Sequence, residues 1–169
     1  VETVEGIIEK NVETRVQRSF IQGSEVLKPA PKLSRALCHT DWNDTTTAVY
    51  NLVRGLSPYP TAFTELVRID GTGAAQQLKI FFGEPVTGEN FESMKSRSIG
   101  GADRPGSILS DGKTFFAITT ADGALSISDM QLSGKKRMDV KAFLAGFRNP
   151  ELFTTTAGTS RAEIQKTRG

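Results

Sequence analysis

The sequence predicts a small, mainly antiparallel β-barrel with a helix at each end, and three observations point there. Two Asp-Gly pairs, Asp111-Gly112 and Asp122-Gly123, separate the β-rich runs "GSILS", "KTFFAITT" and "ALSISDMQL". Asp-Gly between such runs is a strong hairpin signal, because both residues tolerate the positive φ that a tight turn needs. In the last run Leu125 and Ile127 alternate in one phase, and Met130 and Leu132 in the other. That slip predicts a β-bulge near Ser128-Asp129; without it half the apolar set would face water, and with it the strand bends as a small barrel requires. Helical periodicity brackets these strands on both sides.

Before the strands, "TTTAVYNLVRGL" carries Ala48, Val49, Leu52, Val53 and Leu56 on one stripe, with Asp44 as the expected cap and Gly55 and Pro58 as stops. Two strand-like runs follow the "SPYP" turn, "TAFTELVRI" and "QQLKIFFGEPV". The stretch from Thr87 to Arg104 is polar and glycine-rich and is expected to form a long mobile loop. After the hairpins, Asp139 opens a helix with Val140, Phe143, Leu144 and Phe147 at i, i+3, i+4 and i+7, ending near Arg148 before Pro150. The expected organisation is a terminal helix over 1–11 belonging to another domain, a linker over 12–31 broken by Gly23, Pro29 and Pro31, a barrel domain over 32–150, and a loose tail over 151–169.

With 169 residues, 37% hydrophobic and 24% charged, the composition is that of a globular protein with enough chain for one full core. No apolar run reaches the ~18 residues of a membrane span, and no secretory pattern opens the chain. Cys38 is the only cysteine, which excludes an internal disulfide framework and favours a reducing, cytoplasmic setting. The net charge of +2 is unevenly spread: the segment from Gln131 to Gly169 holds eight basic and three acidic residues, a balance of +5 that leaves −3 elsewhere. Such asymmetry suggests a polyanionic partner toward the C-terminal end.

Catalytic machinery is not visible, and no metal-ligand spacing is present. His39 is the only histidine, has no serine-nucleophile motif to serve, and with Cys38 lacks the further ligands of a metal shell. There is no Walker loop and no G-x-G-x-x-G. The chain does offer a charge site: Lys135, Lys136 and Arg137 lie consecutively just before the last helix, where the positive end of a helix dipole repels cations. Read as entering the first turn, they join its free N–H groups in an anion site, although charge runs ordinarily make solvated faces. Phe81-Phe82 and Phe115-Phe116 are each expected to place one ring in the core and one outside, the outer rings covering neighbouring apolar surface. Trp42 is expected to anchor the core, and Lys95, Arg97 and Arg104 could extend a cationic surface.

Four stretches together resemble the C-terminal domain of the methionyl-tRNA formyltransferase family. "PKLSRALCHTDW" is similar to the Lys-Leu/Ile-Ser…Asp-Trp entry into that domain, and "VYNLVRGLSPYPTAF" to its Arg-Gly-Leu helix and Pro-x-Pro turn. "RPGSIL" resembles its Pro-Gly-x-Ile strand, and "QLSGKKRMDVKAFLAGFR" its Gly-Lys-Lys-x-Met…Phe-Leu-x-Gly signature. The resemblance runs from Val1 to about Arg148. Tyr59 stands where the family usually has Trp, and Thr61 where it usually has Gly.

The resemblance implies an open Greek-key barrel of OB-like type. It also implies that the parent enzyme formylates the amino group of Met on initiator methionyl-tRNA, with 10-formyltetrahydrofolate as co-substrate. The reacting groups and the co-substrate belong to an N-terminal formyltransferase domain, so this chain is expected to bind no cofactor, to carry no catalytic residue and to hold the tRNA, as a monomer and away from membranes. Lys135, Lys136 and Arg137 are then expected to neutralise tRNA phosphates, with Lys32 and Arg35 extending the patch. A sugar-nucleotide formyltransferase or a formyltetrahydrofolate dehydrogenase would need no such cationic run, and a free-standing OB-like RNA-binding module would not begin with an orphaned amphipathic helix.

Overall fold

Alternating apolar positions and tight turns build the sheet of this computed structural model, which describes residues 32–101 and 104–156. The chain divides into two compact units, Val1–Lys32 and Leu33–Gly169, and every element described belongs to the second. The helix expected over 1–11, the linker over 12–31 and residues 157–169 lie outside the described residues.

Two helices, α1 (Arg35–Cys38) and α2 (Thr46–Leu56), precede β1 (Ala62–Arg68) and β2 (Gln76–Val86). Then come α3 (Gly88–Arg97), β3 (Ile108–Ser110), β4 (Phe116–Thr119) and β5 (Ala124–Leu132). The chain continues through β6 (Met138–Asp139), α4 (Val140–Gly146), a 3₁₀ turn (Pro150–Leu152) and β7 (Phe153–Thr155). The sheet runs β3-β4-β5-β2-β1-β7, all antiparallel, with β6 attached to β5. Three hairpin-connected strands with β2 lying beside the last of them make a Greek key. The ends nearly close on each other: Ser107 bridges Thr154, and the Thr155 N–H donates to the Gly106 carbonyl at 3.0 Å. Gly106 has φ 87°, and a Cβ there would collide with the Thr155 hydroxyl, so this seam requires glycine.

Both Asp-Gly pairs turn hairpins, β3–β4 and β4–β5. The bulge occurs where expected. Ile80 faces Met130, Phe82 faces Asp129 and Gly83 faces Ile127, so the pairing skips Phe81 on β2 and then Ser128 on β5. Leu125, Ile127 and Met130 are thereby all buried, with Leu132 packed against the core. The same shift removes Phe81 and Phe82 from the core, contrary to the expectation of one ring inside; Phe82 is 51% exposed. Phe116 is in the main core and Phe115 lies on the opposite face against neighbouring apolar surface.

Helix α2 packs Val49, Val53 and Leu56 on one end of the barrel, and α4 packs Phe143 and Leu144 with Phe147 at its end. The Phe143 and Phe147 rings stack at 4.8 Å, and Phe143 meets Phe116 edge-on at 5.0 Å. Trp42 is buried, its Nε1 donating to the Thr64 hydroxyl at 3.0 Å. Thr45, not Asp44, caps α2, accepting from the Ala48 N–H at 3.3 Å. The Asp44 carbonyl instead accepts from the Ala121 N–H at 3.1 Å, and Asp122 takes the Thr46 N–H at 2.7 Å and the Thr46 hydroxyl at 2.8 Å. Negative charge reaches the helix start from a distant hairpin rather than from its own preceding residue.

Two segments differ from expectation. The stretch after Thr87 is a helix, not a loop: α3 sets Phe91 and Met94 against Leu109, Phe115, Ala117 and Ala124, a second apolar cluster outside the barrel. The segment from Glu151 is not loose as far as Thr155, because Phe153–Thr155 pairs with Leu66–Arg68 and completes the sheet.

Candidate nucleic-acid interface

The cationic run sits in the β5–β6 hairpin rather than in the first turn of a helix. The loop after Leu132 turns through Gly134 at φ 75°, and the Lys135 N–H donates to the Leu132 carbonyl at 2.9 Å. Met138 and Asp139 then pair with Met130 and Asp129 before α4 begins, so a strand separates the cations from the helix. Asp139 caps α4 through the Ala142 N–H at 2.8 Å. The expected conflict with the helix dipole is therefore absent, and its N–H groups are not part of the site.

The three cations are not equivalent. Arg137 is held by its own chain: its Nε donates to the Asp129 carboxylate at 2.8 and 3.0 Å, a second guanidinium nitrogen bonds the same carboxylate, and the group lies 4.2 Å over the Phe81 ring. The hydrogen bond to Asp129 raises its pKa further. Lys135 and Lys136 are exposed, with no carboxylate partner among the described residues. Gln131 braces this loop, its Nε2 donating to the Lys135 carbonyl at 2.9 Å. Arg137 thus fastens the hairpin while the two lysines project from it.

Cross-strand register links this hairpin to Arg35. Phe63 on β1 faces Lys79 on β2, and Lys79 faces Gln131 on β5. Directly paired residues of antiparallel strands share a face, so the three form a row across one face of the sheet, although Phe63 itself is buried and packed in the main core. At one end the Arg35 guanidinium lies 5.3 Å over the Phe63 ring, with His39 edge-on to that ring at 5.1 Å. At the other end Gln131 meets the lysine hairpin. Two shallow hollows lie along the row and share Gln77 and Lys79; Arg35 and Tyr59 line one, Ser133 and Gly134 the other. Arg35 and Lys79 thus border hollows whose walls also carry Leu33, Tyr59 and Phe63, and Lys135 and Lys136 follow Gly134 at the far end.

Lys79 went unnoticed in the sequence because it is a lone cation between the buried Leu78 and Ile80. The available signal was its outward phase in an alternating strand, but only register places it between Arg35 and the hairpin. Lys32 is exposed and falls in the other compact unit. Lys95 pairs with Glu92 at 2.8 Å and Arg97 approaches Asp111 at 3.8 Å, so their charges are largely answered within the chain.

Cys38 is buried, with its thiol pKa raised by desolvation, and its Sγ faces the Ser34 carbonyl at 3.4 Å. A raised thiol pKa leaves little thiolate, the nucleophilic form. Among the described residues no group of three or more His, Cys, Asp or Glu side chains could hold a metal, and no helix is long and apolar enough to cross a membrane.

Residues 32–148 match the family described as "Formyl transferase, C-terminal domain". The chain is also similar to proteins named methionyl-tRNA formyltransferase. It is 38% identical to that of Phocaeicola vulgatus over 151 residues, covering 89% of this chain and 43% of that protein. Against that of Bacteroides fragilis it is 38% identical over 157 residues, covering 93% and 44%. Against that of Chlorobium phaeovibrioides it is 34% identical over 148 residues, covering 88% and 40%. The chain therefore spans less than half the length of these relatives. The matched segment holds all four α-helices and every strand but β7, and the chain belongs to the formyl transferase C-terminal domain family.

Proposed function

We propose that this chain is the tRNA-holding part of a methionyl-tRNA formyltransferase of the cytoplasm, acting in translation initiation. The reading rests on the cationic row that runs from Arg35 through Lys79 to Lys135 and Lys136. The names of its relatives supply the polyanion, a methionyl-tRNA, which the role in translation initiation narrows to the initiator species. Exposed lysines and an arginine along a face of this shape can neutralise backbone phosphates, which orients a nucleic acid without reading its sequence. Formyl transfer itself, with 10-formyltetrahydrofolate as donor, is assigned to the part of the protein that this chain does not span. The C-terminal barrel holds the tRNA body so that the aminoacylated end reaches that part, whose chemistry gains from a substrate already oriented.

The test is a salt titration of tRNA binding by the full-length protein. Replacing Lys79, Lys135 and Lys136 by Ala, singly and together, is expected to flatten the slope of log affinity against log salt by about 0.7–0.9 for each phosphate left without its cation. Formylation of saturating tRNA should change much less than KM for tRNA. An unchanged slope in the triple variant would remove this surface from the interface. Arg137→Ala should weaken binding through a loosened hairpin and leave the slope nearly constant, since its charge is already matched by Asp129.

A further inference from the structure

Tyr59 is 88% exposed, the most exposed large apolar or aromatic side chain among the described residues, and neither the barrel nor its helices use it. The other tyrosine, Tyr50, is packed partly against the core and covered by the Arg54 guanidinium at 5.6 Å. Tyr59 has no such cover. It stands between Pro58 and Pro60 in the connection from α2 to β1. That connection is closed by the Thr61 N–H donating to the Leu56 carbonyl at 2.9 Å and by the Thr61 hydroxyl donating to the Pro58 carbonyl at 2.5 Å. Two prolines fix φ on either side and two hydrogen bonds close the loop, so the ring is mounted on a stiff support.

A water-exposed ring held rigidly has little to contribute to folding and loses little entropy when something stacks on it. Its surroundings say what that something is. Tyr59 borders the same hollow as Arg35 and Lys79, so a ligand lying on the ring has a positive charge at its flank. A flat π-system carrying negative charge at its edge fits that combination, and a nucleotide is such a ligand. Double-stranded RNA hides the faces of its bases, so only an unpaired base can use the ring.

Resting on the reading of this surface as the RNA-holding face, we infer that Tyr59 stacks on an unpaired base of the bound RNA whose neighbouring phosphates lie at Arg35 and Lys79. The residue positions the RNA by its non-helical part, and gives a surface otherwise governed by charge a means to distinguish an RNA with exposed bases from a plain duplex.

Binding of three probes to the full-length protein tests this: a tRNA transcript, a single-stranded oligoribonucleotide and a blunt, fully paired RNA duplex. Tyr59→Ala is expected to weaken the first two by roughly 5- to 150-fold, the range that removal of one stacking ring gives, while the duplex is unaffected. The salt slope should stay constant because no charge is removed. Tyr59→Phe should retain affinity and Tyr59→Leu should not. The emission introduced by Tyr59→Trp should be open to iodide quenching in the free protein and become protected when tRNA is added. Unchanged tRNA affinity in Tyr59→Ala, an equal loss on the duplex, or protection from iodide before RNA is added would each overturn the inference, the last by showing that another part of the protein covers the ring. If the wild-type protein binds none of the probes, the RNA-holding reading fails with it; if it binds them and Tyr59→Ala changes nothing, only the stacking role fails.

Discussion

Thr61 holds its backbone at φ 75°, a left-handed conformation that a β-branched residue rarely adopts, at the position where the family resemblance has Gly. Strain of this kind costs on the order of 1–3 kcal/mol. It is offset by the buried hydroxyl, which donates to the Pro58 carbonyl, a net gain of about 1 kcal/mol for an ordinary hydrogen bond. Replacement by Gly relieves the strain but gives up that bond and adds unfolded-state entropy of about 0.5–1 kcal/mol. Thr61→Gly is therefore expected to alter stability by less than about 1 kcal/mol, whereas Thr61→Val keeps the strain, loses the bond and should destabilise by about 1–3 kcal/mol. Urea unfolding of the two variants checks the order; both lose the hydroxyl, so equal losses would mean that the strain relieved by Gly is no larger than the unfolded-state entropy it adds. Arg137 makes a similar point about charge. Three consecutive cations look equivalent in sequence, but Arg137 is paired with Asp129 and lies over Phe81, whereas Lys135 and Lys136 have no carboxylate partner among the described residues.

At the scale of elements, α3 is held to the barrel by few apolar side chains. None of its residues is fully buried, and Phe91 and Met94 are the ones that touch the outer cluster. A Phe whose ring is only partly buried contributes somewhat less than the ~1.5–3 kcal/mol of a fully buried side chain. Phe91→Ala is expected to release α3 before the rest of the molecule. Amide exchange over 88–97 should rise sharply while protection of β2 and β5 is kept; simultaneous loss in both would show that the helix is part of the barrel's cooperative unit. The paired shifts in the β2–β5 ladder show the reverse situation. There the phase slip from Ile127 to Met130 demands a bulge, and the second shift at Phe81 restores register for the remaining pairs.

For the whole molecule, the β4–β5 hairpin locks α2 to the barrel. Backbone and hydroxyl hydrogen bonds from Thr46 hold the Asp122 carboxyl below the usual 3.8. For Asp111 burial acts upward, but hydrogen bonds from the Thr114 hydroxyl and N–H and from the Lys113 and Phe115 N–H groups outweigh it, and its pKa is also lowered. A carboxyl with a folded-state pKa below its unfolded one stabilises the fold above the unfolded value and loses that contribution as pH falls through the folded value. Stability is thus expected to be nearly independent of these groups above about pH 5 and to fall progressively below about pH 4. Asp122→Asn should make the acid limb shallower, measured as the urea midpoint against pH; an unchanged limb would leave Asp122 without a linked role. Gly123 belongs to the same lock: a Cβ there would stand 2.5 Å from the Val86 carbonyl oxygen and 2.9 Å from the Thr46 hydroxyl.

What the amino-acid sequence determined by itself is local: the two Asp-Gly hairpins, the bulge at Ser128, the helices opening near Thr46 and at Val140, and the burial of Trp42. Each follows from periodicity, turn chemistry or capping within a few residues, where the chain's own geometry leaves few alternatives. Helix α3 escaped because its first residues are polar and its apolar pair gains only from a cluster contributed by β3, β4 and β5. Strand β7 escaped because three residues become a strand only when an edge waits for them. Tertiary structure alone decided that Lys79 completes a row between Arg35 and the Lys135–Lys136 hairpin, that Arg137 is spoken for, and that Tyr59 stands uncovered beside that row. Register and charge pairing join residues far apart in sequence, and no pattern within one strand records which partner will lie across from it.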